Sequence, residues 1–148
     1  MIFKSVHKKL NAAINLNEDN AWIFAVDNGV KEYIIKLNTI DQLFDRGIDS
    51  LNKSLGKYSD VTVENYKKPK GQKFSNITLK DTGDFYKSFK VELTKTSIRI
   101  SANPIKEDNN LFDDFGDEII GLTPDNLTKT SEIILENIII YVKKQLDI

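Results

Sequence analysis

The sequence predicts an α+β protein: one or more N-terminal helices, a small antiparallel β-sheet with long loops, and a C-terminal helix packed on that sheet. Helical spacing of apolar residues occupies the N-terminal third, alternating apolar and polar residues occur after it, and a long amphipathic run closes the chain. The length of 148 residues fits a single domain. We therefore predict one domain over 1–148, with a helical region at 1–45, a loop and β region at 46–122, and a C-terminal helix at 123–146.

The N-terminal region carries two helical patterns. Val6, Leu10 and Ile14 lie on one face of a short first helix, and Asn17 or Asp19 is placed to cap the next. From Trp22 to Phe44 apolar residues recur every three or four positions, which is a helical stripe. Asn28-Gly29 weakens its middle and Thr39 to Gln42 resembles a capping box, so the stripe is consistent with two helices in sequence.

The middle of the chain is rich in loop residues. Positions 45–60 predict a loop or a short hairpin, and "DVTVENY" (60–66) alternates briefly like a strand. "KKPKGQK" (67–73) predicts an exposed basic turn around Pro69 and Gly71. A solvated face is the usual role of such a run, although it is also suited to an acidic partner.

A β-hairpin and an acidic segment follow. Phe89, Val91 and Leu93 alternate with polar residues, "TKTS" turns, and Ile98 and Ile100 alternate again. The segment 107–118 is acidic but lacks the spacing of a calcium-binding loop. Its aromatic residues predict an exposed loop that docks onto another protein.

Residues 123–125 predict the start of the last helix. Thr123 is a candidate cap, Pro124 suits the first helical position, and Asp125 favours the positive end of the helix dipole. The apolar arc that follows is too wide to be covered by one small sheet. We expect some of it to face another subunit.

Composition limits the possible functions. A net charge of −1 supplies no general basic field, so we expect no specific nucleic-acid partner. The chain has no cysteine and a single histidine, His7, which we expect on a solvent-facing helix surface. We therefore expect no cofactor and no metal. The most apolar run, "IILENIIIYV", is too short for a membrane span, and the first residues do not resemble a signal peptide, so we expect no membrane partner and synthesis in the cytoplasm.

The tripeptide Asp81-Thr82-Gly83 matches the catalytic loop of aspartic proteases. Ile119-Ile120-Gly121 echoes the turn before the last helix of the retroviral type, so a homodimeric protease that uses Asp81 is an alternative function. Such a loop, however, needs an apolar residue before the aspartate, where this chain has Lys80. It also needs a small residue after the glycine, where this chain has Asp84. The other interpretation is structural: Thr82 or Asp81 caps a short helix, Gly83 permits a tight entry, and apolar residues such as Phe85 enter the core.

The order of several motifs resembles the tail-completion and virion-morphogenesis family of tailed phages, which includes head–tail neck and tail-terminator proteins. "NKSLGKYSDVT", "YKKPKGQK", "LKDTGDFYKSF" and "EIIGLTPDNL" follow one another across residues 39–130, as in versions from phages and prophages of Bacteroidetes-type hosts. The turn before the last helix lacks the usual Arg-Pro-Phe. The preceding loop also lacks the usual aromatic-histidine run. The matching structural positions are Asp81, Thr82, Gly83, Phe85, Ser88 and Gly121.

This resemblance implies a virion structural protein without catalytic residues. Copies would form a ring, expected to be sixfold, at the head–tail junction or the top of the tail, beside portal, connector or tail proteins. The protein would be made in the host cytoplasm and reside in the virion. A regulatory or toxin-like binding module that uses the acidic-aromatic loop is a third hypothesis. Candidate subunit-interface residues, from the basic and acidic segments, are Lys67, Lys68, Lys70, Phe112, Asp113, Asp114 and Phe115.

Overall fold

The computed structural model describes the backbone of residues 2–148 and the side chains from residue 4 onward. It confirms the predicted α+β class: N-terminal helices, small antiparallel β-pairs and a long C-terminal helix. No helix within residues 2–148 is long and apolar enough to cross a membrane. The helices are α1 (Ile2–Ile14), α2 (Glu18–Asp27), α3 (Val30–Lys36, continued by a π-helix Leu37–Arg46), α4 (Asp60–Thr62, continued by a π-helix Val63–Lys67), α5 (Asp84–Lys87), α6 (Leu111–Phe115) and α7 (Pro124–Leu146), with a 3₁₀ turn at Asp117–Ile119. The strands are β1 (Lys90–Leu93), β2 (Ile98–Ser101), β3 (Ile105–Lys106) and β4 (Asn109–Asn110).

The N-terminal helical region is divided into helices where the sequence predicted, except at Thr39. Asn17 caps α2 by accepting from the backbone N–H of Asn20, and the chain breaks between α2 and α3 at Asn28-Gly29. The predicted capping box at Thr39 is wrong. No helix begins there, because the Thr39 hydroxyl donates to the carbonyl oxygen of Ile35 inside a continuous helical segment.

Residues 60–66 form helix and not the predicted strand. Ser59 lies in the extended region and accepts from the backbone N–H of Thr62 at 3.2 Å, which is a helix cap. The helix continues in the π form to Lys67. Two alternating apolar residues, Val61 and Val63, are too few to distinguish a strand from one helical turn, so the local cap and the packing of Lys67 decide the structure.

The predicted hairpin is confirmed. β1 pairs with β2 in antiparallel register, with Val91 opposite Ile100 and Leu93 opposite Ile98. Val91, Ile98 and Ile100 pack against the buried cluster that includes Val30 and Ile34 of α3. A second, two-residue pair joins β3 to β4.

Two buried clusters form the core. One contains Leu43, Phe85, Phe89, Leu111 and Ile119, and joins the π-helix to α5 and α6. The other contains Val30, Ile34, Leu37 and Leu122, with Ile133 and Ile134 of α7 and residues of the hairpin packed against it. α7 therefore shares a core cluster with the sheet, while its most extensive contacts are with α2.

Buried amides attach the start of α7 to the π-helix. Asn38 accepts from the backbone N–H of Gly121 at 2.8 Å and donates to the carbonyl oxygen of Ile119 at 3.1 Å. Gln42 donates to the carbonyl oxygen of Gly121 and accepts from the backbone N–H of Thr123. Both amide side chains are fully buried, so these bonds replace water and fix the turn before α7.

Candidate functional site

The Asp81 carboxylate joins two separate segments of the chain. One oxygen accepts from Lys70 Nζ at 2.9 Å, and the other accepts from Lys106 Nζ at 3.2 Å. Gln72 adds a bond to the first oxygen at 3.2 Å. The hydrogen bonds from Lys70, Gln72 and Lys106 hold the pKa of Asp81 well below its usual range. Asp81 therefore stays ionised and ties the turn after α4 to β3.

The predicted role of Asp81 as a helix cap is wrong. Gly83 occupies the N-cap position of α5 with φ +90°, a left-handed conformation that favours glycine. The Thr82 hydroxyl accepts from the backbone N–H of Asp84 at 3.3 Å and donates to that residue's carboxylate at 2.7 Å. Thr82 and Gly83 thus start the helix as expected, and Phe85 enters the core. The Asp81 carboxylate instead binds Lys70 and Lys106.

This charge arrangement is the reverse of an aspartic-protease dyad. In such a dyad two carboxyl groups share one proton, because like charges so close cannot both ionise. Here two ammonium groups flank the carboxylate of Asp81.

A cleft of about 320 Å³ opens beside Asp81. It is partly apolar and aromatic, and four lysines lie along it with a single carboxylate. The lining residues are Tyr58, Thr62, Tyr66, Lys67, Lys70, Ile77, Leu79, Lys80, Asp81, Lys106, Leu111 and Phe115.

Lys67 is buried in this cleft and is not an exposed interface residue as predicted. The residue is only 6% exposed, and its ammonium donates to Gln72 Oε1 at 2.9 Å and to the carbonyl oxygen of Lys80 at 3.2 Å. It also lies 4.6 Å from the centre of the Tyr58 ring. No carboxylate among the described side chains comes within 4.0 Å of it. The basic run at 67–73 therefore does not present its lysines as one exposed set.

The other predicted interface lysines have partners in their own chain. Lys68 is exposed and pairs with Glu64 one helical turn earlier. Lys70 pairs with Asp81. The structure thus assigns three neighbouring lysines three different environments, which a count of charges along the sequence does not reveal.

The acidic-aromatic segment is only partly the exposed loop that the sequence predicted. Asp113 and Asp114 are exposed, but Phe112 and Phe115 are half-buried and pack against the first core cluster. The reason is that residues 111–115 form helix α6, anchored by buried Leu111, and the helix turns both rings toward the protein. Phe115 reaches the Asp81 cleft.

The remaining motif residues have structural roles. Ser88 ends α5: its hydroxyl donates to the carbonyl oxygen of Phe85 at 2.6 Å and accepts from the backbone N–H of Asn103 at 2.9 Å. Gly121 has φ +133°, and a Cβ there would lie 3.2 Å from that of Ser50. Ser88 thus connects the end of α5 to the segment at Asn103, and Gly121 lets the turn before α7 lie close to Ser50.

Helices α1 and α7 each carry a row of exposed apolar residues. On α1, the α1 stripe consists of Val6, Leu10 and Ile14, of which Ile14 is 71% exposed. On α7, the α7 stripe consists of Leu127, Leu135 and Ile139, of which Leu135 is 58% exposed. Spacing by four or eight residues places each set along one helix face. His7, as expected, is exposed beside the α1 stripe.

The portion of the chain that the structure describes contains no group of three or more histidine, aspartate or glutamate side chains arranged to hold a metal ion. Comparison of the chain with models of protein families, with curated proteins and with solved structures finds no match.

Proposed function

We propose that this protein is a non-catalytic structural subunit of a tailed-phage virion, which assembles with copies of itself into a ring at the head–tail junction or the top of the tail. The motif order across residues 39–130 supports the class of protein. The exposed apolar stripes support self-assembly, and they are the observation that carries the proposal.

The α7 stripe is suited to contact with another subunit. The side chains of this stripe are exposed to solvent. α7 packs against α1, α2 and α3 through its other side. Burial of one leucine or isoleucine side chain stabilises an association by about 1.5–3 kcal/mol. A few such residues meeting a neighbour therefore offer a substantial share of the affinity of a ring contact.

Charged residues at the surface complement this apolar contact. Lys68, Asp113 and Asp114 remain exposed, so they stay candidates for pairing between neighbours. Lys67 does not belong to that set because it is buried, whereas Lys70, which binds Asp81, is as exposed as Lys68 and remains a candidate. In a heterologous ring interface, different patches of each subunit meet, which is compatible with separate apolar and charged surfaces.

Sedimentation velocity over a concentration series tests the interface. Leu135→Ser should weaken self-association at least tenfold while the circular dichroism spectrum stays unchanged, because it removes apolar area that the free subunit already exposes. Leu51→Ser is the matched control, since Leu51 is 69% exposed but lies in the loop after the π-helix. Equal association of wild type and Leu135→Ser would contradict the assignment of this face.

Mass spectrometry of purified particles tests the location. We expect a low, constant ratio of this chain to the portal protein, about one copy for every two portal subunits in a sixfold ring. Absence from finished particles would overturn the virion assignment.

A further inference from the structure

The cleft beside Asp81 is lined by more lysines than carboxylates. Lys67, Lys70 and Lys106 all line it, and Asp81 is the only carboxylate among its lining residues. Lys70 and Lys106 each use one contact on Asp81, and an ammonium group carries three donors. N–H groups therefore remain for an additional anion.

Lys67 is the strongest indication that this cleft is a binding site. A buried ammonium without a carboxylate partner is unfavourable, since burial removes the water that stabilises its charge. Gln72 holds it in place by accepting from Lys67 and donating to Asp81, so the cation and the carboxylate are fixed relative to each other. Such a buried cation, positioned by its neighbours, is arranged to form a charge-assisted hydrogen bond with an anion.

The other walls of the cleft favour an apolar group. Apolar surface comes from Ile77, Leu79, Leu111 and Phe115. Tyr66, which is largely exposed, also lines the cleft. The volume of about 320 Å³ lies near the lower end of small-ligand sites and fits one aromatic ring with an acidic substituent.

We propose that this cleft binds an anion with an aromatic or aliphatic body: the phosphate or carboxylate lies among Lys67, Lys70 and Lys106, and the body lies against Leu79, Leu111 and Phe115. The source of the anion is either a small molecule or an acidic-aromatic segment of a polypeptide, because both present the same chemistry. This site is separate from the α7 stripe, so the proposal does not depend on ring assembly.

NMR titration of the full chain with phenyl phosphate tests the proposal. We expect saturable shifts of backbone amides around the cleft, with inorganic phosphate and benzyl alcohol binding at least tenfold more weakly, because each lacks one half of the ligand. Lys106→Met should weaken phenyl phosphate binding about tenfold, the usual effect of losing a charge-assisted hydrogen bond. Lys87→Met, which also removes a lysine from an ion pair but lies outside the cleft lining, should leave binding unchanged.

A second titration identifies the source of the anion. The probe is the tripeptide Asp-Asp-Phe with blocked ends. Lys106-dependent binding of this peptide alone assigns the site to a polypeptide, and Lys106-dependent binding of phenyl phosphate assigns it to a small molecule. The proposal is overturned if neither probe binds, if Lys87→Met weakens binding as much as Lys106→Met, or if inorganic phosphate binds as tightly as phenyl phosphate.

Discussion

The side-chain amide of Gln42 donates to the carbonyl oxygen of Gly121 over 2.8 Å, across 79 positions of the sequence. The same side chain accepts from the backbone N–H of Thr123 at 3.0 Å. One residue of the π-helix thus fixes both the turn before α7 and Thr123, the N-cap residue of that helix.

Replacement of Gln42 by alanine should destabilise the protein by about 3 kcal/mol. The change leaves the part-buried carbonyl oxygen of Gly121 and the buried N–H of Thr123 without their partner, and each costs about 1–3 kcal/mol. Urea unfolding measures the effect. Gln145→Ala, at an exposed position of α7, should change the free energy of unfolding by less than about 0.5 kcal/mol. Equal effects of the two changes would contradict the role of Gln42.

Gly121→Ala should destabilise the protein by about 2–3 kcal/mol. The φ of +133° is unfavourable for any residue with a Cβ, and the added atom would press against Ser50. Gly71→Ala is the matched control, because Gly71 also has positive φ but would place its Cβ in open space. Thermal unfolding should rank Gly121→Ala as the more severe change, and the opposite order would contradict this account.

Asp81→Asn should destabilise the protein by about 1 kcal/mol near neutral pH, since the ion pairs with Lys70 and Lys106 are partly exposed. The folded-state pKa of Asp81 is lowered from its ordinary value of 3.8, so this stabilisation is fully present above that value and is lost as the pH falls below it. Urea unfolding at a series of pH values should therefore show the difference between wild type and variant shrinking below about pH 4.

Asp113→Asn, at an exposed aspartate of α6, serves as the control for this pH series. It should differ from wild type by less than about 0.5 kcal/mol at every pH. An Asp81→Asn difference that stays constant down to about pH 2 would contradict the ion-pair account. If the variant instead abolished a peptidase activity of the wild type, the protease hypothesis would replace the structural one.

Charge reversal should separate Lys67 from Lys68. Lys67→Glu places a carboxylate against two acceptor oxygens in a buried position, so we expect a loss of about 3 kcal/mol or more. Lys68→Glu only replaces an exposed i,i+4 attraction to Glu64 by a repulsion, which costs about 0.5 kcal/mol. Chemical denaturation of both variants measures this, and similar effects would contradict the burial of Lys67.

The sequence by itself determined the class of the fold and most of its local elements. The cap at Asn17, the break at Asn28-Gly29, the hairpin around Val91 and the start of α7 each depend on neighbouring residues, so local patterns suffice to locate them. The burial of Phe85 was predicted in the same way, from the short helix that Thr82 and Gly83 start.

The tertiary structure alone decided the functional surfaces. The Asp81 cleft joins residues from the turn after α4, the segment before α5, β3 and α6, and no spacing in the sequence indicates that Lys106 lies beside Lys70. Burial of Lys67 likewise depends on Gln72 and on the Lys80 carbonyl. Charge and polarity can be counted along a chain, but whether a lysine meets solvent, a carboxylate or a cleft depends on contacts between segments that only folding brings together.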